Sequence, residues 1–289
     1  GSPERFRDVV IVGAGAAGAA AAAHLSRGGH DVVLLERDAE PRIKPCGGGM
    51  AASVQQWFPF SLEPAVEQVV RQVDFSWCLG DPVVAELPGE APFWIVRRER
   101  LDQLLTDQAK QAGAECCVGT TVTDISWGND HWSVTAADAR RWRTRSVVIA
   151  DGSASPWPQR LGLGAKRVQT ATTMSVRLDG QGKLKDGTTR FEFGLVKQGF
   201  AWAFPVAGGV NIGVGSFIGK QDADPEQVLA QLLPDLGFPA DAGLRQSGQL
   251  RVWNGHHRLN GNGIVVVGDA ASLCDPFLAE GLRPALMSG

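Results

Sequence analysis

An α/β architecture follows from the sequence: a Rossmann-like domain interrupted by an inserted antiparallel β-sheet domain of α+β character. Three observations carry it. Residues 8–36 read as strand, glycine loop, helix, strand and acid. Residues 166–257 change to short alternating or apolar runs broken by Gly and Pro. Residues 264–276 then return to a buried strand that ends in Gly268-Asp269.

The first unit opens with DVVIV, a β-branched run bounded by glycine, as expected of a buried parallel strand. Gly13, Gly15 and Gly18 follow in G-x-G-x-x-G spacing, and an Ala-rich helix runs to about Ser26. The turn and strand GGHDVVLLE end in Glu36. Gly13 permits the tight turn, Gly15 lets backbone approach a pyrophosphate, and Gly18 lets the helix pack on the strand. The helix N-terminus offers free N–H groups and the positive end of its dipole. Glu36 accepts hydrogen bonds from ribose hydroxyls and would repel a 2′-phosphate, which argues against NADP at this site. With these flanks the spacing is a strong dinucleotide fingerprint. It does not decide between NAD and FAD. The run 9–25 follows a charged ERFRD, as in a secretory signal, but its Gly and Ala are too weakly apolar for a span.

Residues 44–50, KPCGGGM, place three glycines behind a lone cysteine. Glycine loses the most backbone freedom on folding, so the run implies bare backbone passing close to something. Trp57, Phe58 and Phe60 flank Pro59 and read as buried loop anchors, with membrane contact or closure over substrate as alternatives. VRQVDFSWCL and PVVAEL are strands that belong with the later sheet. IVRRERLDQLLTDQAKQAGAE is a helix with leucines at 101, 104 and 105 and Arg98 near its start.

In the inserted region, TTMSVRL, TTRFEFGLV, FAWAFPV and VNIGVGSF make an antiparallel sheet. DPEQVLAQLLPDLG is a helix and LRQSGQLRVW a returning strand. Trp202 and Phe204 share one strand face with Phe200, because side chains repeat every second residue. They are candidate walls of an apolar substrate pocket, against the plainer reading as core. The expected division is 1–72, 91–165 and 258–289 for the cofactor lobe and 73–90 and 166–257 for the substrate lobe.

The last unit, IVVVGDAASLCDP, runs from a buried strand into Gly268-Asp269, and a helix with Pro284 in its first turn follows. Asp269 is placed to bind a polyol or to bridge to a pyrophosphate. The N–H groups of Gly281 and Leu282 suit a partial negative charge, such as the N1–C2=O edge of a reduced flavin.

GAGAAG with Glu36, the R-x-x-L-D at 98–102, IADG at 149–152 and GDAASLCDPFLAEGL resemble one fold. It is the glutathione-reductase-type FAD fold of the p-hydroxybenzoate hydroxylase class. K-P-C-G-G-G resembles the signature of the geranylgeranyl reductase family, and GFAWAFP at 199–205 that family's aromatic-x-Trp-x-Phe-Pro motif. The resemblance spans residues 8–289. It implies that Ala17 and the loop glycines meet the pyrophosphate and Glu36 the ribose, with Arg37 beside it. It implies that Cys46, Gly47 and Gly49 pass the flavin, and that Arg98 and Val122 lie on the adenosine side. Asp269, Gly281 and Leu282 would hold the ribityl chain and flavin ring, with Pro276 a further cofactor contact. The implied activity is reduction of isolated double bonds in a polyprenyl chain by FAD, with NADPH or a ferredoxin as electron donor and peripheral membrane contact. Cys46 is then a candidate proton donor or substrate-orienting group, its thiol made more acidic by nearby Lys44, against the packing role common for free Cys.

Two other readings stay open. GFAWAFP distantly resembles the Trp-x-Trp-x-Ile-Pro motif of flavin halogenases, but no lysine falls between Lys44 and Lys110. Hydroxylation of an aromatic or apolar small molecule remains, as does a non-catalytic flavoprotein fragment. The sequence departs from the family at Phe200, where Tyr is usual, in a chain with no tyrosine, and mildly at Ala150 and Ala279. It stops at ALMSG, where the family's helix runs on, which reads as either a truncation or a naturally short chain.

Composition narrows the remaining classes. The net charge is −3 with pI near 6.0, which offers no electrostatic footprint for nucleic acid. Five cysteines, at 46, 78, 116, 117 and 274, form no C-x-x-C pair and no metal spacing. An odd count fits a reducing, cytoplasmic setting. His256 and His257 are adjacent, which points them apart on a strand, so no metal site is expected.

Overall fold

The computed structural model describes residues 5–39, 42–90, 92–216, 223–275 and 280–289. The β-branched run at its start forms the strand Phe6–Val12, parallel to Val32–Leu35 on one side and to Arg141–Ile149 on the other. Glu115–Cys117 ends this sheet on one side and Ile264–Val266 extends it on the other, both in parallel, with Asn260–Gly261 antiparallel beyond the latter. Strands drawn from both ends of the chain thus make one Rossmann-type sheet, whose carboxyl edge is where ligands of such folds bind. Val122–Gly128 and His131–Ala136 join it as an antiparallel meander.

The first helix, Ala16–Arg27, is buried on two sides, which explains its alanines. Ala17, Ala21 and Ala22 pack on Ile11, Val32 and Leu34 of the sheet. Ala16, Ala19 and Ala20 pack on Leu101 and Leu105 of the helix Arg98–Gln111. A larger side chain has no room on either face. Phe58 is buried in this second core, half-buried Trp57 and Phe60 pack against it, and the Arg283 guanidinium lies over the Trp57 ring. These aromatics are loop anchors.

Seven strands form the other large sheet, in the order Gln246–Val252, Gln169–Asp179, Gly209–Ser216, Gly199–Val206, Thr188–Phe193, Gln72–Trp77 and Val83–Glu86. All neighbours are antiparallel except Thr188–Phe193 with Gln72–Trp77. One face carries Ala201, Ala203, Ile212 and Val214 and packs on the helix Pro225–Asp235. The opposite face is aromatic.

VRQVDFSWCL is not one strand. Val66–Val70 pairs with Phe93–Val96, whereas Gln72–Trp77 pairs with Thr188–Phe193, so the chain changes sheets at Arg71. Gly49–Ala51 completes a three-stranded sheet with Phe93–Val96. That small sheet carries the end of KPCGGGM to the interface of the two larger sheets. Among the described residues, no helix is long and apolar enough to cross a membrane.

Candidate functional site

The glycine loop has the geometry its spacing implies. Gly13 has φ +97°, and a Cβ there would stand 2.5 Å from the Ala150 carbonyl oxygen. A Cβ on Gly18 would strike the Gly13 carbonyl. Around Gly15 the nearest such neighbour is Arg98 Nη2 at 3.9 Å, so its side faces open space. Gly15 is the N-cap of the first helix, no side chain caps that end, and no acid lies in the first turn. These amides are therefore available to an anion. Glu36 closes the loop from below, accepting from Ala14 N–H at 2.8 Å and from Arg42 at 3.0 Å. Arg37 is exposed and forks onto Asp38 at 2.9 and 3.1 Å.

The glycine triplet has a reason within the protein itself. A Cβ at any of the three would strike protein atoms of the neighbouring wall. At Gly47 it would lie 2.8 Å from Phe204 Cε2, and at Gly49 2.8 Å from Phe93 Cζ. At Gly48, φ is +78° and a Cβ would run into the Val96 carbonyl oxygen. Bare backbone thus lets the aromatic sheet close onto this loop.

A set of buried charges lines the other side. Arg98 is buried and holds Asp102 through two bonds of 3.1 Å. Burial opposes its charge, but Asp102 and then the Cys46 thiol more than offset this and raise its pKa. Cys46 Sγ also accepts from Gly48 N–H at 3.3 Å. The cation at the thiol is Arg98, which corrects the expectation of Lys44; Lys44 Nζ lies 3.8 Å from Asp269 Oδ2. Burial raises the pKa of Asp269, against the pull of Lys44, Arg98 and Arg251. Asp151 is likewise raised by burial, and its Oδ1 is buried with no hydrogen-bond partner among the described residues. Glu280, missed in the sequence reading, lines the same space with its pKa raised by burial.

Between these groups and the seven-stranded sheet is a cavity of about 340 Å³. It brings together Gly15, Ala17, Cys46, Gly47, Gly49 and Arg98. Asp269, Gly281 and Leu282 meet them from the last unit, Gly281 as N-cap of the helix Leu282–Ser288. Phe200, Trp202 and Phe204 form the far wall. Trp202 donates its indole N–H to Asn211 at 2.9 Å, so that proton is already in use. The indole lies where a Cβ of Gly213 would be. The sequence reading also missed Phe93 and Phe191 in this wall. For Phe191 a signal was present, the alternation R-F-E-F, which puts both rings on one face.

Gly13 and Gly18 shape the loop from behind and do not line the cavity. Val122 is not brought to it either: it packs against the core under the meander that holds Trp132 and Val134. Pro276 lies outside the described residues.

The arrangement fits FAD. Uncapped helix amides and Arg98 suit the pyrophosphate, Glu36 a ribose, and the buried carboxylate of Asp269 a polyol chain. The apolar wall opposite suits a flat ring and an apolar substrate.

Residues 8–76 match the FAD dependent oxidoreductase family. The chain is 30% identical to a menaquinone reductase of Mycobacterium tuberculosis, over 98% of this chain and 74% of that one. It is 28% identical to digeranylgeranylglycerophospholipid reductase 2 of Methanopyrus kandleri, over 98% and 74%. Its fold matches a geranylgeranyl bacteriochlorophyll reductase-like protein of Thermoplasma acidophilum. That match has a TM-score of 0.87 at 21% identity and covers 98% of this chain and 76% of the other. It also matches a halogenase solved in complex with FAD, with a TM-score of 0.75 at 18% identity over 97% and 67%.

Proposed function

The chain belongs to the geranylgeranyl reductase family of FAD-dependent oxidoreductases, and from that premise we propose that it reduces isolated C=C bonds of a prenyl chain. The observation that supports this reading is the wall of the cavity. Phe200, Trp202 and Phe204 face the cofactor side with no free polar hydrogen among them. Two of the similar proteins are named for substrates that carry prenyl chains, which agrees with an apolar wall of this kind.

In this proposal the two lobes divide at the boundaries given above, and the cofactor contacts are those read from the sequence, with Val122 on the adenosine side, away from the cavity. The loop amides and Arg98 bind the pyrophosphate, Glu36 the ribose, and Asp269 the ribityl chain. When bound and reduced, FAD supplies a hydride to one alkene carbon. The other carbon takes a proton, which we assign to Cys46 Sγ. The aromatic wall orients the chain and excludes water, since an unactivated alkene reacts only when held in line at a dry site. NADPH or a ferredoxin is the electron donor, and a prenyl-lipid substrate brings peripheral contact with a membrane.

The test is to release and weigh the chromophore of the purified protein, then reduce it anaerobically and add a geranylgeranyl compound. FAD, and a product heavier by two hydrogens per reduced bond, is expected. Oxygen-dependent NADPH consumption stimulated by a phenol would assign hydroxylation instead. Folded protein that takes up no flavin would assign a non-catalytic role. Cys46→Ala is expected to keep the flavin and lose most of the turnover; unchanged turnover moves the proton to Glu280.

A further inference from the structure

The cavity is small for its task. At about 340 Å³ it lies near the lower end of ligand pockets, roughly 300–1,000 Å³. It has to take a flavin ring as well as the reacting part of a substrate. A polyprenyl chain is longer than what remains, so its far end must leave the cavity.

The aromatic face of the seven-stranded sheet continues past the cavity. One register row crosses four strands: Trp202 opposite Phe191, Phe191 opposite Phe75, and Phe75 opposite Val83. Ring centroids stay in contact along the face. Phe204 to Phe191 is 5.5 Å, Phe191 to Phe75 5.9 Å, and Phe75 to Phe193 6.5 Å. Charge is kept off this row. Arg190 and Glu192 alternate onto the opposite side of their strand, where they bond each other and Ser76.

Exposure rises steadily along the row. Trp202 is 7% exposed, Phe75 41% and Val83 71%, with Trp77 beside them at 70%. Exposed edge strands normally carry charge or proline. The edge strand Val83–Glu86 follows Asp81-Pro82 and ends in Glu86, but Val83 and, on the neighbouring strand, Phe75 and Trp77 leave one side of this end of the sheet apolar and exposed. An apolar patch continuous with a ligand cavity marks a binding surface.

We propose that this row is a track which carries the distal isoprene units of the substrate out of the cavity, across Phe191 and Phe75, to Trp77 and Val83. The proposal rests on the prenyl-reductase reading above. The occupant is an unbranched-backbone, uncharged polyisoprenoid chain, because the track offers rings and methyl groups and no ion. Three inter-strand steps of about 4.8 Å make a path of roughly 14 Å, so the track distinguishes long chains from short ones.

Geranyl and geranylgeranyl probes with a photoreactive group at the far end of the chain test this on the flavin-loaded protein. The long probe is expected to label peptides holding Phe75, Trp77 or Val83, and the short probe the cavity wall around Phe191 and Phe200. Trp77→Ser and Val83→Ser are expected to raise the ratio of KM for geranylgeranyl over geranyl substrates roughly fivefold, the loss of part of one large apolar contact. Labelling confined to the cavity with both probes overturns the track and leaves the reductase reading intact. Labelling of neither site overturns both. If Trp77→Ser instead weakens sedimentation with phosphatidylcholine vesicles, or splits a dimer in ultracentrifugation, with the long probe absent from the edge, the face meets a membrane or a second copy and the track is wrong.

Discussion

A methyl group at Gly47 would sit 2.8 Å from the Phe204 ring, and one at Gly48 would meet backbone. The two substitutions should therefore differ. For Gly47→Ala a side chain can give way, at the usual overpacking cost of about 1–3 kcal/mol. At Gly48 the carbonyl of Val96 cannot yield and φ is +78°, so strain adds a further ~1–3 kcal/mol to Gly48→Ala. Denaturant unfolding of both variants checks the order. A second residue-scale prediction concerns Asp269, whose folded pKa burial raises. The folded state then holds the proton more tightly than the unfolded chain does. Its contribution to stability is full below the unfolded value and is lost as pH rises through the folded value. Asp269→Asn should thus stabilise the flavin-free protein at neutral pH, by a Tm gain of roughly 2–4 °C per kcal/mol, while weakening FAD binding. The gain should shrink as pH falls toward the unfolded value, which melting curves across pH will show.

At the scale of elements, the seven-stranded sheet depends on one buried carboxylate. Glu192 takes the Leu79 N–H at 2.8 Å, Arg190 at 2.7 Å and the Ser76 hydroxyl, and so ties Thr188–Phe193 to the end of Gln72–Trp77. Removing it leaves Arg190 with Asp235, at 2.7 Å, as its carboxylate partner and takes the acceptor from the Leu79 N–H. Glu192→Ala should cost about 1–3 kcal/mol for each buried polar group left unsatisfied, against about 1 kcal/mol for Asp224→Ala, which loses only the N-cap of the helix Pro225–Asp235. Urea midpoints compare the two. This tie shows what the sequence could and could not convey. The strand–loop–helix unit at 8–36 was legible because its signals are local: spacing, period and a terminal acid. Asp269 and Gly281 were legible for the same reason. Phe93 was not, because it reaches the cavity through a strand paired with residues 49–51 and 66–70, far from it in sequence; Phe191 was signalled by its alternation with Phe193 and overlooked. Lys44 was assigned to the wrong partner because nothing local brings Arg98 to Cys46.

For the whole molecule, the cavity is where three sheets meet: the loop of the Rossmann sheet, Phe93 of the small sheet and the aromatic face of the large one. A ligand there binds only when all three are assembled, so it stabilises the folded state by mass action. FAD at a hundredfold excess over its Kd should add about 2.7 kcal/mol. Arg98 tests whether the buried charges serve the fold or the ligand. The single change Arg98→Met leaves Asp102 buried without its cation and should cost about 3–5 kcal/mol. That loss alone cannot separate the two roles. Replacing both partners with apolar residues of similar volume is often close to neutral for stability. Arg98→Met combined with Asp102→Leu should therefore melt near the parent protein without flavin, yet respond to added FAD with less than half of the parent's Tm shift. A double variant that keeps the full shift would make the Arg98–Asp102 pair a structural strut, and would leave the anion to the uncapped amides beyond Gly15.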